Sequence, residues 1–192
     1  MADPPGGNCL PPPPDRPTPE IVNNLAEADG VLLVIPGDPN IRPRDIGKRL
    51  RILMDDIAAR RRSLYGRPVP IPRVAICLTM AELFLAPTLR GAGALGRLEG
   101  LDPQLVAEHA LGAEGIAAVR NSVATGGEWY SLVSVFGFER RTGRAQAVSD
   151  GKGGWTVPSH FQPHGDDWLP YRLYEPLEFL ARGVCWRDGI LS

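Results

Sequence analysis

The chain has 192 residues, of which 43% are hydrophobic and 22% charged, a balance typical of one globular domain with its own hydrophobic core. Its net charge of -1 lacks the excess of Lys and Arg that nucleic-acid binding requires, so we expect no nucleic-acid partner. The sequence contains neither an apolar run near the roughly 18 residues of a membrane span nor a secretion signal, so we expect a cytoplasmic protein without a membrane partner.

The N-terminal segment, residues 1–17, is rich in proline, with seven prolines between Pro4 and Pro17. Such a composition favours an extended chain over a packed one. We therefore expect a proline-rich extended N-terminus, followed by a single α/β domain over residues 18–192.

The domain begins with signals for a short helix and a strand. Thr18 as N-cap, Pro19 at the first helical position and Gly30 as a stop predict the helix. Residues 31–35, VLLVI, are five consecutive apolar residues. Such a run is typical of a strand buried on both faces, as in a parallel sheet.

A longer helix is predicted from Pro43 to about Leu64, because apolar residues recur along it at steps of three and four. The basic run Arg60–Arg62 near its end is interpreted as a solvated helix terminus. Residues 73–79, RVAICLT, then predict a second, largely apolar strand.

The C-terminal half continues this alternation. Helical spacing returns over residues 103–119, with a break expected near Gly112 and Gly115. Residues 129–138, WYSLVSVFGF, predict a third strand, and residues 170–182 predict a final helix. Strands that alternate with helices predict a three-layer α/β fold with a mostly parallel sheet.

Candidate site residues lie at the carboxyl ends of the predicted strands, where open α/β sheets bind ligands. Thr79, Met80 and Glu82 follow the second strand, and Ser134 lies at the end of the third. This arrangement resembles the P-loop GTPases of the translation-factor-related class, in which the strand ends in Asn or Thr, then Lys, any residue and Asp. Met80 stands in place of the lysine and Glu82 in place of the aspartate. The resemblance implies that these residues surround a guanine base, with Ser134 in the loop over it.

Two further segments carry the same resemblance. The first, Asp3-Pro4-Pro5-Gly6, is similar to the Asp-x-x-Gly motif of these GTPases, and implies a γ-phosphate contact for Asp3 and Gly6. The second, Tyr174–Leu180, is similar to the last helix of bacterial double-GTPase-type proteins. Together they imply a partial P-loop GTPase-like fold.

No Gly-x-x-x-x-Gly-Lys-Ser/Thr motif occurs in the chain, so the resemblance implies a fold without phosphate loop, switch I or magnesium ligand. These groups supply most of the electrostatic stabilisation of phosphoryl transfer. We therefore expect a degenerate, non-hydrolysing GTPase-like module for protein interaction or regulation, with no cofactor. The alternative is an active GTPase whose encoded protein begins upstream of Met1 and binds GTP or GDP with magnesium through Thr79–Glu82.

The resemblance also predicts where a protein partner binds. In GTPases of this class, the strand that feeds the phosphate loop lies beside the strand corresponding to Val31–Ile35. Without the strand that feeds the phosphate loop, the strand Val31–Ile35 has an unpaired apolar edge, and proteins normally cover such an edge. We expect the proline-rich N-terminus, a second copy or a partner chain to cover this edge, so self-association or a protein partner is predicted there.

Purely structural roles remain open for the same residues. Asp3–Gly6 can be terminal coil. Thr79 can cap a helix that begins near Ala81, and Ser134 can bond its own backbone. The tryptophans of the last third serve either core packing or a partner surface; they are Trp129, Trp155, Trp168 and Trp186.

Other chemistry has weaker support in the sequence. His160 and His164 have the spacing of metal ligands on one helix face, but Pro158 and Pro163 oppose a helix there. A third hypothesis is a small α/β enzyme that uses the region from Ser159 to Asp167, although no Gly-x-Ser-x-Gly elbow is present. The three cysteines are widely spaced and fit neither a disulfide framework nor a zinc site.

Overall fold

The computed structural model describes residues 16–36, 43–79, 93–145, 148–149, 155–156, 168–183, 186–187 and 190–191. In chain order the elements are α1 (Pro19–Glu27), β1 (Gly30–Pro36), α2 (Pro43–Tyr65), β2 (Arg73–Thr79), α3 (Ala94–Glu99), α4 (Pro103–Ser122), β3 (Glu128–Leu132), β4 (Ser134–Glu139), β5 (Val148–Ser149), β6 (Trp155–Thr156), β7 (Trp168–Tyr171), α5 (Glu175–Arg182), β8 (Trp186–Arg187) and β9 (Ile190–Leu191). Within this part of the chain, no helix is both long and apolar enough to cross a membrane.

The central sheet contains β1, β2 and β3 in that order, and both pairings are parallel. The register between β1 and β2 is continuous from Gly30 opposite Arg73 to Pro36 opposite Thr79. In the described part of the chain, β1 has one strand neighbour, and its outer edge carries none. The apolar runs thus form adjacent parallel strands joined by helical crossovers.

One face of the sheet is covered by α2 and α4. Every second residue of the strands points to this face, and these side chains share a core with the apolar stripes of both helices. The two helices cross closely at Gly47 and Gly115, since a Cβ on Gly47 would lie 2.2 Å from the Leu111 carbonyl oxygen. The crossing therefore requires glycine at position 47.

The opposite face is covered by α5. Phe179 and Leu180 pack there against Leu32, Ala75 and Trp129. Trp129 stacks on Phe179 with ring centroids 5.6 Å apart, so this tryptophan serves packing. Helices on both faces of a parallel sheet confirm the predicted three-layer α/β fold.

Most of the predicted elements are confirmed. The first helix, the second helix and the first two strands lie within a few residues of their expected bounds. The expected break in α4 lies at Gly112, which has φ 67° and ψ 169°. Only glycine adopts such a conformation readily, so the break follows from the sequence.

The predicted third strand is wrong in its extent, because residues 129–138 form two strands that belong to different sheets. The Val133 amide donates to the Leu78 carbonyl at 2.9 Å, and β4 then leaves the parallel sheet to pair antiparallel with β7. The final helix is also shorter than predicted. It begins at Glu175, because residues 168–171 are the strand that pairs with β4.

Two expectations about burial are wrong. Val34 is 54% exposed, so β1 is not buried on both faces. Arg61 is only 4% exposed and is not a solvated helix terminus. At the end of the proline-rich segment, Pro17 is buried and Arg16 forms an ion pair with Asp56 at 2.8 Å; residues 1–15 lie outside the described residues.

Candidate functional site

The carboxyl ends of the three parallel strands lie together at one edge of the sheet. Pro36 of β1 is opposite Thr79 of β2, and Leu78 of β2 is opposite Leu132 of β3. Open α/β sheets bind ligands at this edge, since the strand ends present side chains to the connecting loops. The edge is therefore the place where the predicted site residues should meet.

Thr79 lies at this edge, as predicted. Its hydroxyl donates to the Ile35 carbonyl oxygen at 3.4 Å, which ties the end of β2 to the end of β1. This distance is long for a hydroxyl donor, so the bond is weak. The oxygen still has lone pairs to accept a bond, and the predicted helix cap at Ala81 lies outside the described residues.

Ser134 is fully buried at the start of β4. Its hydroxyl oxygen accepts a hydrogen bond from the Gly137 amide at 2.7 Å. The register between β4 and β7 shifts between Ser134 and Phe138, and Gly137 has φ 67° within this irregular stretch. Ser134 thus has the expected alternative, structural role, in which its hydroxyl bonds its own backbone.

The remaining predicted site residues lie outside the described residues. These are Asp3, Gly6, Met80 and Glu82 of the GTPase-like motifs. The same is true of the region from Ser159 to Asp167, with His160 and His164. Among the residues that the structure describes, no group of three or more His, Cys, Asp or Glu is arranged to hold a metal ion.

Sequence reasoning missed a row of side chains on the α5 face, near the carboxyl end of the sheet. The strand register places Val34, Cys77 and Ser131 side by side across the three strands. Cys77 is a buried free thiol, and desolvation raises its pKa to about 11. Across the part of the chain that the structure describes, the buried Ser131 hydroxyl has no hydrogen-bond partner. Alternation within each strand indicated the shared face, but only the register aligned the three residues.

A second polar group lies at the amino end of β3. Arg120 donates to Glu128 at 3.2 Å and to Glu108 at 3.3 Å, and the Tyr130 hydroxyl donates to Glu128 at 3.3 Å. Desolvation by burial, followed by the nearby Glu128 carboxylate, raises the Tyr130 pKa. This group lies at the opposite end of the sheet from the predicted site, and its ion pairs join α4 to β3.

Near the carboxyl end of the sheet, the α5 face of β1 is more exposed than the same face of β2 and β3. Val34 is the one residue of the aligned row that is exposed, whereas Cys77 and Ser131 are 6% and 1% exposed. The C-terminal end of α5 lies at the amino end of β1, since a Cβ on Gly30 would lie 3.1 Å from Leu180 Cδ2. The helix therefore covers the beginning of β1 and leaves Val34 uncovered.

A comparison of the chain with known protein families, with curated proteins and with solved structures found no match.

Proposed function

We propose that this chain is a GTPase-like α/β module that binds another protein and does not hydrolyse nucleotide. The observation that carries the proposal is the outer edge of β1. Within the described residues this edge has no strand neighbour. The sequence of β1 contains no charged residue, and the side chain of its residue Val34 is 54% exposed. Exposed edges of this kind pair with other chains.

The carboxyl edge of the sheet supports the second half of the proposal. The resemblance assigns the Thr79 and Ser134 hydroxyls to the surroundings of a guanine base. Thr79 donates to the Ile35 carbonyl, and Ser134 accepts from the Gly137 amide. Both hydroxyls thus serve the backbone. These bonds compete with a guanine base for both hydroxyls, and the lack of a phosphate-loop motif in the sequence favours protein binding without phosphoryl transfer.

The layers of the fold suggest how a partner would add to it. On one face, α2 and α4 pack against the sheet over a continuous core. On the other face, α5 is an eight-residue helix whose C-terminal end lies over the amino end of β1. A partner strand along β1 would satisfy the backbone groups of the edge and cover Val34 at the same time.

The proposal is tested by titrating the full chain with a fluorescent guanine nucleotide and magnesium, together with an assay for phosphate release from GTP. We expect neither saturable binding nor phosphate release above the protein-free rate. Saturable binding that GTP competes away, and that Glu82→Ala weakens, would overturn the proposal and support the active-GTPase alternative. Ala81→Gly is a matched control, because it alters the same segment without removing a polar group.

A further inference from the structure

We propose that the partner is a second copy of this chain, and that two copies pair antiparallel along the outer edges of their β1 strands. The two parallel sheets would then form one continuous sheet with α5 of each copy on the same face. This inference rests on the proposed function, because it names the partner of the interaction module proposed above.

The direction of each backbone group in β1 follows from the hydrogen bonds of β2. The Val74 amide donates to Gly127, and the Leu78 carbonyl accepts from Val133, so the even-numbered residues of β2 bond to β3. Successive residues of a strand direct their backbone groups to opposite sides. The odd-numbered residues of β2 therefore bond to β1.

The same alternation applies to β1 itself. Because Ala75 is directed to β1 and is opposite Leu32, its bonds reach the flanking residues Val31 and Leu33. The backbone groups of Leu32 and Val34 are consequently directed outward, away from β2. In the described part of the chain, no strand accepts or donates to these outward groups.

Within the described residues, β1 carries neither a charged side chain nor a bulge, two of the features that natural proteins use to prevent edge pairing. Its sequence, GVLLVIP, has no charged residue, and its register with β2 is continuous without a bulge. Proline occurs only at the last position, Pro36, which is even-numbered and so would direct its missing N–H outward. The stretch from Gly30 to Ile35 is therefore open to another strand.

A second copy of β1 complements this edge. In an antiparallel pairing centred on Leu33, Leu32 of each copy lies opposite Val34 of the other, and both residues have outward backbone groups. Such opposed residues exchange two hydrogen bonds, and their side chains point to the same face. The exposed Val34 side chain would thus contact Leu32 of the partner copy on the α5 face.

The chemistry of the edge favours a second copy over a different protein. A twofold axis makes the same surface serve both partners, so the surface must complement itself. An uncharged apolar strand meets this condition, since the pairing opposes apolar residues and sets no charges against each other. A partner specified by charge would require charged residues on this strand, and β1 has none.

The test compares the full chain with Val34→Pro and Val34→Thr by sedimentation equilibrium over a range of concentrations. Proline at position 34 removes an outward N–H and leaves the bonds to β2 intact, whereas threonine keeps the N–H and nearly the same shape. We expect the wild type to form a dimer, Val34→Pro to weaken it at least tenfold, and Val34→Thr to remain dimeric. A monomeric wild type, or a Val34→Pro dimer of unchanged affinity, would overturn the inference.

Amide hydrogen exchange of the wild type, followed residue by residue, decides the question even if Val34→Pro does not fold. The Leu32 and Val34 amides should become more protected as protein concentration rises, while the Leu33 amide, bonded to β2, should be protected throughout. Concentration-independent exchange at positions 32 and 34 would overturn self-pairing. The nucleotide titration reports on the proposed function separately, since a monomer that binds no nucleotide contradicts only the choice of partner.

Discussion

We expect the buried guanidinium of Arg61 to be important for stability, because it joins α2 to the end of α1 and to the segment that follows α2. Its Nη1 donates to the Ala26 carbonyl at 2.6 Å and to the Ala28 carbonyl at 3.3 Å, at the C-terminal end of α1. Its Nε donates to the Val69 carbonyl at 3.0 Å, beyond the end of α2. Carbonyls at a helix C-terminus carry partial negative charge, which suits a cation.

Replacing Arg61 with methionine keeps much of the apolar stem and removes all three donors. The Ala26 bond is buried, so its carbonyl would be left without a partner, at a cost of about 2 kcal/mol. The bonds to Ala28 and Val69 are partly buried, and water can replace them in part, so together they add about 1 kcal/mol. We expect Arg61→Met to lower the free energy of unfolding by about 3 kcal/mol.

Urea unfolding, followed by far-UV circular dichroism, measures this loss. For a slope of about 2 kcal/mol per molar urea, the midpoint should fall by about 1.5 M with the slope unchanged. The neighbouring Arg62 is exposed, so Arg62→Met is the matched control and should change stability by less than about 0.5 kcal/mol. Equal midpoints for the two variants would refute the argument that the buried bonds of Arg61 hold α1 in place.

Two further outcomes follow from close packing and from a shifted pKa. Gly47→Ala should destabilise the protein by about 3 kcal/mol in thermal or urea unfolding, because its Cβ would meet the Leu111 carbonyl oxygen at 2.2 Å; Gly96→Ala, with nothing within 4 Å, should be neutral or slightly stabilising. Burial raises the Cys77 pKa from 9.0 to about 11, so the thiol stays protonated in the folded chain while the unfolded thiol ionises. The stability from this difference is fully present below pH 9 and is lost as the pH rises to about 11, so in urea unfolding the wild type should lose about 3 kcal/mol more over this range than Cys77→Ala, in which the fall from the raised Tyr130 pKa remains. If Cys77→Ala lost as much free energy of unfolding as the wild type over this pH range, the loss would come from other ionisable groups.

Signals within a short stretch of sequence were sufficient to predict several helices and strands. Thr18 and Pro19 mark the start of α1, and the positive φ that Gly112 adopts breaks α4 where the glycine occurs. The apolar runs predicted β1 and β2 because strands buried in a parallel sheet have few polar residues. The position of Thr79 at a strand end followed from the same run.

Other features of the fold depend on contacts between residues that are distant in the chain. Residues 129–138 are largely apolar, with Ser131, Ser134 and Gly137 as the exceptions, and their division into two strands depends on bonds to Leu78 and pairing with β7. In the sequence, nothing distinguishes Arg61 from the other arginines of the basic run. Arg61 is buried because the end of α1 lies beside it in the folded chain. No local pattern distinguishes these cases, because they depend on which segments meet after folding.

The candidate interface shows the same division. The sequence by itself determined that Val31–Ile35 is an uncharged strand, and the resemblance indicated an open edge beside it. Only the tertiary structure decided that α5 ends over Gly30 and leaves Val34 exposed, and that the register aligns Val34 with Cys77 and Ser131. The physical reason is that hydrophobic pattern and turn chemistry act within a segment, whereas burial and strand register depend on how far each segment reaches across its neighbours.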